Sequence, residues 1–427
     1  MLRTRERAVI LPAVQSLRLL VRRGLLRPFR AWCVWLWVSW GDAPGWYTLS
    51  LWDKWMKERR RLRGEGKWGE GWGGMRDLLP MGRPVLVLAP MQDVTDLPFM
   101  RIMARRGGPD VYVTEYFRVH SDSRPEAHIL RSVCEHGTGR PVFAQMIGQD
   151  IGSLVRTAKE LLKYPVAGID LNLGCPAPVV CRKDAGGGLL RYPERIEAIV
   201  GALREAVGEG RFTVKCRLGF DDAEGFGRLL GIFGRHRPDA VTIHARTVRD
   251  GYRTPVRPDP VVVAVREMGC PVIANGNVVD VATGQAWLRQ SGAAGLMIGR
   301  GAIRNPWIFE QLRASWEGRE GPEPTGNDVL EYVQELWDET GACERKFHEG
   351  KHVAKMKKYL NYISQGTWGD GMFEHRIRRA ETSGEFFGIC REYLGHDEPV
   401  AARPPETSTF FCGFGALLEG EAGEVGE

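Results

Sequence analysis

A cysteine followed by proline stands at the end of a short apolar run in the middle of the chain. The run over 168–173 contains Asp170 and Asn172 and predicts a buried strand that stops just before Cys175. Enzymes built on parallel strands place their reactive groups at the carboxyl ends of those strands, and Pro176 fixes the backbone next to the sulfur. A buried cysteine can also act as a small apolar residue. The loop setting favours an active-site thiol at Cys175.

Two polar turns rich in glycine follow later apolar runs of the sequence. Glycine allows backbone N–H groups to approach a phosphate closely, and an arginine adds charge-assisted hydrogen bonds. In parallel barrels, phosphate is often held by the loops after the seventh and eighth strands. We therefore predict a phosphate site at Asn275, Gly276, Asn277, Gly299 and Arg300.

One lysine and one histidine interrupt apolar runs, where a polar side chain is unfavourable unless it is paired or functional. Lys215 lies within the run over 212–218, where a charge is costly unless it is paired or functional. Such a lysine either reaches water from the bottom of a barrel or stabilises negative charge in a site. His244, taken alone, is equally compatible with a structural role and with a site role.

These residues need a scaffold, and the pattern from residue 83 onward provides one. Eight β-rich runs alternate with amphipathic stretches such as 151–162, 193–207 and 280–290, which predicts an α/β fold, a (β/α)8 TIM barrel, over residues 81–320. A doubly wound open sheet is the alternative, but the first run lacks the Gly-x-Gly-x-x-Gly turn of that fold. The eight predicted strands are 85–88, 111–116, 142–146, 168–173, 213–217, 240–244, 272–274 and 295–298.

The strand pattern ends near residue 321, and a helical pattern replaces it. Apolar residues recur with a period near 3.6 over 328–340, 344–363, 373–380 and 383–393, which predicts a small all-helical domain over residues 321–400. We expect a disordered tail over residues 401–427, whose end is acidic.

Several stretches, in a fixed order, resemble motifs of the bacterial tRNA-dihydrouridine synthases, which are flavoenzymes that reduce uridine in tRNA. The resemblance covers about residues 84 to 395 and implies FMN as cofactor, NADPH or NADH as reductant and tRNA, with D-loop uridines expected, as substrate. The matching stretches are Leu88–Phe99, Phe143–Gly148, Ile169–Leu190, Val214–Gly219, Ile243–Thr247, Ile273–Asn277, Met297–Ala302 and Asn305–Phe309.

The resemblance also implies roles for individual residues around the flavin. Lys215 would face the N1 and O2 edge of the ring, Gln145 would bond to the ring edge, and His244 would contact flavin or substrate. Asp93 stands where the family usually has glycine, so this loop departs from the pattern. The remaining implied flavin contacts are the backbone cradle Pro90, Met91 and Gln92 and the phosphate residues Asn275, Gly276, Asn277, Gly299 and Arg300.

The same resemblance implies a specific catalytic role for Cys175. Reducing the uracil C5=C6 bond takes a hydride at C6, which flavin N5 can deliver, and a proton at C5 from a positioned acid. A thiol that keeps its proton at neutral pH suits this general acid, and Cys181 is a weaker candidate. Substrate contacts are expected from Asn172, Arg182, Lys183 and Arg246.

Basic residues in the predicted helical domain provide the argument for RNA. Lys351, Lys355 and Lys358 follow an i, i+4, i+7 spacing that places them on one helix face, where they can contact phosphates. A second basic group lies at Arg376, Arg378 and Arg379. A solvated charged face is the ordinary explanation of such runs, but together with the barrel motifs we expect a tRNA-binding surface.

Composition narrows the class of protein further. The 427 residues carry a formal net charge of +6, with 59 Lys and Arg against 53 Asp and Glu. Residues 1–80 alone hold sixteen basic and seven acidic residues, so overall charge is a poor argument for RNA binding. Nine scattered cysteines indicate no zinc site, no metal site and no disulfide framework, and they fit a reducing cytoplasm.

Residues 1–80 form a basic, tryptophan-rich extension with nine of the fourteen tryptophans. The longest apolar window, 31–40, is too short to span a bilayer, which takes about 20 residues. A membrane-surface anchor, an RNA-contacting arm, a poorly ordered extension and a start at Met75 or Met81 are the interpretations left open.

Two other functions compete with the synthase hypothesis. Another FMN-dependent barrel acting on a small molecule, such as a dihydroorotate dehydrogenase or an ene-type enzyme, is disfavoured by the Cys175 motif and the basic helical domain. A non-catalytic tRNA-binding protein is disfavoured by the complete set formed by Cys175, Lys215 and the phosphate loops.

Overall fold

A computed structural model describes residues 78–344, 346–366 and 371–422. The tryptophan-rich extension predicted over 1–80 therefore lies outside the described residues except for its last three positions. No helix of the described ranges is long and apolar enough to cross a membrane.

The strands of the described residues form one closed sheet in which every neighbouring pair is parallel. The last strand pairs with the first, Val85 opposite Gly295 and Leu88 opposite Ile298, and this pairing closes the barrel. The predicted TIM barrel is confirmed. The strands are β1 (Val85–Leu88), β2 (Val111–Val113), β3 (Phe117–Arg118), β4 (Val142–Ile147), β5 (Gly168–Leu173), β6 (Phe212–Arg217), β7 (Ala240–His244), β8 (Val272–Asn275) and β9 (Gly295–Ile298).

The second predicted strand, 111–116, is wrong in its extent, because the structure divides it into β2 and β3. Tyr112 is paired with Val142, and Phe117 is paired with Met146. Five steps along this segment thus face four steps along β4, and the extra residue interrupts the pairing as a bulge does. Both short strands pair with the same edge of β4 and together occupy one strand position, so the barrel still has eight strand positions.

Alternation along the strands separates an apolar layer from a polar layer inside the barrel. At the amino-terminal end, Val85, Val87, Phe143 and Ile273 belong to one buried apolar cluster within the barrel. Positions of the same parity nearer the carboxyl ends are polar. Because side chains alternate between the two faces of a strand, these residues also point inward, and they are Gln145, Asp170, Asn172, Lys215, Arg217, His244 and Asn275.

Helices surround the barrel, and two of them show why they begin where they do. The carboxylate of Asp150 accepts the N–H of Ser153 at 2.8 Å, and Asp280 forms a capping box with Thr283. The barrel helices are α1 (Leu97–Arg105), α2 (Ala127–Cys134), α3 (Ile151–Leu161), α4 (Pro178–Cys181), α5 (Pro193–Val207), α6 (Phe226–His236), α7 (Pro258–Glu267), α8 (Val281–Ser291), α9 (Arg300–Arg304) and α10 (Ile308–Glu317), with a 3₁₀ turn over Gly186–Arg191.

The predicted helical region after residue 321 is present and packs directly on the barrel. Arg106 donates two hydrogen bonds of 3.0 Å to Glu335, and the Tyr359 ring stacks on Phe99 with centroids 6.0 Å apart. The Tyr359 hydroxyl donates to the Val94 carbonyl at 3.1 Å. Residues of both regions belong to one buried apolar cluster. The helices are α11 (Gly326–Cys343), α12 (Glu349–Ile363), α13 (Met372–Ile377), α14 (Ser383–Leu394) and α15 (Ala416–Ala422).

The prediction of a disordered tail from residue 401 is wrong for the part of the tail that the structure describes, 401–422. Phe411 and Phe414 are each 2% exposed and pack against Val279. Leu417 is 1% exposed, and its carbonyl accepts a 2.7 Å hydrogen bond from Gln290. These apolar anchors, spaced three residues apart, outweigh the glycine-rich and acidic composition around them.

Candidate active site

A chain of hydrogen bonds crosses the polar layer of the barrel. Thr213 donates to Asp170 at 2.6 Å, and the amide nitrogen of Gln145 donates to the other Asp170 oxygen at 2.7 Å. Asn172 then donates to the Gln145 oxygen at 2.8 Å. Gln145, predicted to bond to the ring edge of a flavin, is fully buried with both ends of its amide engaged in this chain. The structure thus places Gln145 as a support for Asn172.

The backbone around Cys175 is held from two sides. The Asn172 side-chain oxygen accepts the N–H of Gly174 at 3.0 Å and the N–H of Cys175 at 2.9 Å. The Cys175 carbonyl accepts the N–H of Gly187 at 3.1 Å. A Cβ on Gly187 would lie 2.8 Å from that carbonyl oxygen, so the loop needs glycine there. The backbone that carries the partly exposed Cys175 thiol is therefore fixed in position at the barrel rim.

Tyr116, at the bulge between β2 and β3, lies against Cys175 and was not identified from the sequence. Burial, followed by the proximity of Cys175, raises the pKa of Tyr116 to about 12. The guanidinium of Arg118 lies 5.4 Å from the Tyr116 ring centroid. A hydroxyl group at the last position of a predicted strand was the available signal, but the register that turns it toward Cys175 depends on the bulge.

A cavity of about 290 Å³ opens at the carboxyl ends of β1, β6, β7, β8 and β9. Most of the predicted flavin contacts line it, while Gln92 and Gln145 are not among its lining residues. Its wall also includes Tyr252, Tyr362 and the segment 409–411, which the sequence did not indicate. The predicted residues that line the cavity are Pro90, Met91, Lys215, His244, Asn275, Gly276, Asn277, Gly299 and Arg300.

The described residues that line this cavity include Lys215 and Arg300 but no aspartate or glutamate. Burial, followed by Arg217, lowers the pKa of Lys215 to about 8. Burial, followed by Arg300 and Arg217, lowers the pKa of Arg246 to about 9. The pKa of His244 is lowered well below its usual value by burial and then by Arg217, so its imidazole is neutral at pH 7. Side chains that disfavour one another's charge in this way are stabilised by a bound anion.

The two glycine turns form tight walls of the same cavity. Gly276 has a φ of +115°, and a Cβ there would lie 2.8 Å from Val256 and 3.1 Å from His244. A Cβ on Gly301 would lie 2.2 Å from the Val278 carbonyl oxygen. These positions accept only glycine because the backbone itself forms the wall. The turns predicted to bind phosphate are thus brought together at one end of the cavity.

Arg246, predicted to bind substrate, lies in a different place from the one expected. Its side chain is fully buried and donates to Asn277 at 2.9 Å and to the Thr254 carbonyl at 2.6 Å. It also lies 3.2 Å from the Nε2 atom of His244. The structure therefore groups Arg246 with the phosphate turns behind the cavity.

The basic residues predicted to contact RNA differ in exposure and in ion pairing. Arg182, Lys183, Lys351 and Lys358 are exposed, and Lys355 is partly buried. Lys355 forms an ion pair with Asp96, and Lys358 lies 3.1 Å from Asp93. Burial lowers the pKa of Lys355, but the carboxylates of Asp96, Glu115 and Asp93 together raise it, so the net shift is upward. The three lysines of α12 are therefore not one open face, because two of them join the helical region to the barrel.

The fold and this cavity place the protein in the class of parallel-barrel proteins with a site at the carboxyl ends of the strands. There, a cavity lined by Lys215 and Arg300 and a cysteine with a fixed backbone occupy the region where barrel enzymes place bound phosphate groups and catalytic residues. Among the described residues, no cluster of three His, Cys, Asp or Glu side chains is placed to hold a metal ion.

Comparison with known proteins gives the family. Residues 87–393 match the model of the family described as "Dihydrouridine synthase (Dus)", and this match spans well over half of the chain. The chain therefore belongs to the dihydrouridine synthase family, which confirms the resemblance found in the sequence.

Three curated relatives illustrate the similarity. The tRNA-dihydrouridine(16) synthase of Haemophilus influenzae is 33% identical over 66% of this chain and 90% of that protein. The tRNA-dihydrouridine(16) synthase of Cupriavidus necator is 32% identical over 75% of this chain and 99% of that protein. A probable tRNA-dihydrouridine synthase of Rhodobacter capsulatus is 34% identical over 61% of this chain and 81% of that protein.

Proposed function

We propose that this protein is an FMN-dependent tRNA-dihydrouridine synthase that uses NADPH as reductant. The observation that carries the proposal is the cationic cavity beside a thiol whose backbone is fixed by Asn172. The curated relatives, which span most of the chain's barrel and helical region, bear the same activity in their names.

The residues around the cavity fit a flavin mononucleotide. A phosphate dianion would offset the mutual repulsion of Arg246 and Arg300, and the Nη2 atom of Arg217 is buried without a hydrogen-bond partner. Lys215, at the end of β6, would lie at the electron-rich edge of the flavin ring. When bound and reduced, FMN would supply the hydride for uridine C6.

Cys175 completes the reduction as the proton donor. The hydride at C6 leaves an electron pair at C5, and the Cys175 S–H bond breaks to place its proton there. Asn172 keeps the Cys175 backbone in place through its two accepted N–H bonds. The resulting thiolate must then regain a proton from water, and the neutral phenol of Tyr116, which lies against Cys175, would stabilise the thiolate until it does.

The proposed substrate is a uridine of the tRNA D-loop, and the names of the relatives favour position 16. A uridine must leave its stack to reach a cavity at a barrel mouth. Arg182 and Lys183, which follow Cys175 in the chain, and Lys351 on α12 are exposed cations suited to the flanking phosphates.

Dihydrouridine mapping tests this function directly. The purified protein with FMN and NADPH should introduce dihydrouridine at one position of unmodified tRNA. Cys175→Ala should retain FMN and still oxidise NADPH, but it should lose uridine reduction because only the proton donor is missing. Cys181→Ala, six residues further along the chain, is the matched control and should remain active. Near-normal dihydrouridine formation by Cys175→Ala would show that another group supplies the proton.

A further inference from the structure

A segment beyond the family match crosses the phosphate end of the cavity. The family model ends at residue 393, and the residues from 403 to 418 return to the barrel; we name them the C-terminal strap. At its start, Arg403 forms an ion pair with Asp280, and the Arg403 carbonyl accepts a 3.2 Å bond from Arg304. At its end, Leu417 is buried and held by Gln290. The strap is thus anchored at both of its ends, in each case on α8 or its N-cap.

Between these anchors, aromatic residues of the strap form part of the cavity wall. Phe410 and Phe411 line the cavity together with Tyr362 of α12. The ring of Tyr362 meets that of Phe410 edge to face, with centroids 5.5 Å apart. Phe411 and Phe414 are buried against Val279, which follows the turn after β8. Removing the strap would expose the phosphate turns to water.

The backbone of the strap also bonds to the side chains that we assign to the phosphate. The Cys412 carbonyl accepts hydrogen bonds from Arg246 at 3.3 Å and from Asn277 at 3.2 Å. The Phe410 carbonyl accepts an N–H of Arg300. A guanidinium has five N–H donors, so Arg300 can serve the strap and an anion at once. These contacts orient the side chains of Arg246, Asn277 and Arg300, and each guanidinium keeps further N–H groups that can bind a ligand.

We propose that the C-terminal strap is an element of the cofactor site, closing its phosphate end and slowing the exchange of a phosphate-bearing flavin. This inference rests on the proposed placement of FMN. A ligand held behind the strap can leave only after the Phe411 and Phe414 side chains separate from Val279. A closed strap therefore slows both entry and release of the flavin, and release is the rate that is simpler to measure.

The test measures FMN release from the loaded full-length protein by the recovery of flavin fluorescence after dilution. The double variant Phe411→Ala/Phe414→Ala should release FMN at least about tenfold faster than the parent protein. Arg403→Gln, which loses only the partly buried ion pair with Asp280, is the milder variant and should give a smaller increase. Phe347→Ala removes an exposed phenylalanine between α11 and α12 and is the matched control.

The outcomes separate this inference from the proposed function. Unchanged release from both strap variants that still bind FMN would overturn the strap and leave the function intact. Slower release would also overturn it, because the strap carbonyls would then be competing with phosphate for Arg300. A parent protein that binds no FMN would overturn both proposals at once.

Discussion

The side-chain oxygen of Asn172 lies 2.9 Å from the backbone nitrogen of Cys175. One asparagine therefore links the polar layer inside the barrel to the thiol at its rim, because the amide nitrogen of the same side chain donates to Gln145 at 2.8 Å. Cys175 is positioned by a side chain that the substrate does not need to touch.

Replacing Asn172 by alanine should reduce uridine reduction with little effect on flavin content. The change leaves the N–H groups of Gly174 and Cys175 without their acceptor, at a cost of about 1–3 kcal/mol for each buried group. We expect a loss of about 10- to 100-fold in the single-turnover rate of dihydrouridine formation. Asn327→Ala, at an exposed asparagine of α11, is the control. Equal rates for the Asn172 and Asn327 variants would contradict the positioning role.

Arg300→Ala should weaken flavin binding more than any exposed arginine does. Each charge-assisted hydrogen bond contributes about 1.5–3 kcal/mol, so the FMN dissociation constant should rise by about 10- to 100-fold. Equilibrium titration of the apoprotein measures the effect. Arg228→Ala, at a surface arginine paired with Glu194, is the matched control. If the two variants bind FMN alike, the phosphate does not lie where we place it.

Glu115 should make the protein less stable as the pH rises. Burial, followed by Asp96, raises the pKa of Glu115 to about 7, above its usual value of 4.5. Between these values the folded state holds a proton that the unfolded state has lost. The free energy of unfolding therefore decreases as pH increases through this window, by about 3 kcal/mol at most.

Glu115→Gln removes this titration and keeps an oxygen for the N–H of Asp93. Its denaturant midpoint should exceed that of the parent protein at pH 8, and the difference should shrink toward pH 5. Urea unfolding at the two pH values measures it. A constant difference between parent and variant would mean that Glu115 does not titrate in this range.

The exposed and paired cations should behave differently toward tRNA. Each phosphate contact contributes about −0.9 to the log–log salt slope for duplex RNA and less for single strands. Neutralising Arg182, Lys183 and Lys351 to glutamine should therefore flatten the slope by about 2 units, while FMN content stays unchanged. Lys163→Gln, at an exposed lysine just after α3, is the control.

Lys355→Gln should instead lower thermal stability and leave the salt slope unaltered. Its ammonium is paired with Asp96 where α12 meets the barrel, and Asp96 would lose that partner. Scanning calorimetry and salt titration on the same variant separate the two effects. A flattened slope at unchanged stability would return Lys355 to the RNA-binding surface.

The parts of the site that the sequence predicted are those set by local pattern. The turns at Gly276 and Gly299 follow strands whose apolar runs are plain, so their meeting at one edge is a consequence of parallel topology. The role of Lys355 could not be predicted in this way. Its helical spacing is that of an open face, and only the docking of α12 determines which lysines turn toward the barrel.

The position of Arg246 and the order of the C-terminal strap could not be predicted from the sequence, for related reasons. Arg246 follows the end of β7, and its burial depends on how the chain turns back toward Thr254. Phe411 and Phe414 are too few to define a helix or strand by periodicity, and their partner Val279 lies far away in sequence. Arg217 shares strand parity with Lys215, so its inward direction was available from the alternation alone.

The apolar cluster shared by the barrel and the helical region has a consequence for the choice of uridine. Tyr359 of α12 stacks on Phe99 of the barrel within this cluster. The position of α12 relative to the barrel mouth is therefore fixed by a shared apolar core. Under the proposed function, a tRNA that contacts Lys351 on α12 would be held at a fixed distance from the flavin. We therefore expect the target uridine to be selected mainly by its distance from those contacts.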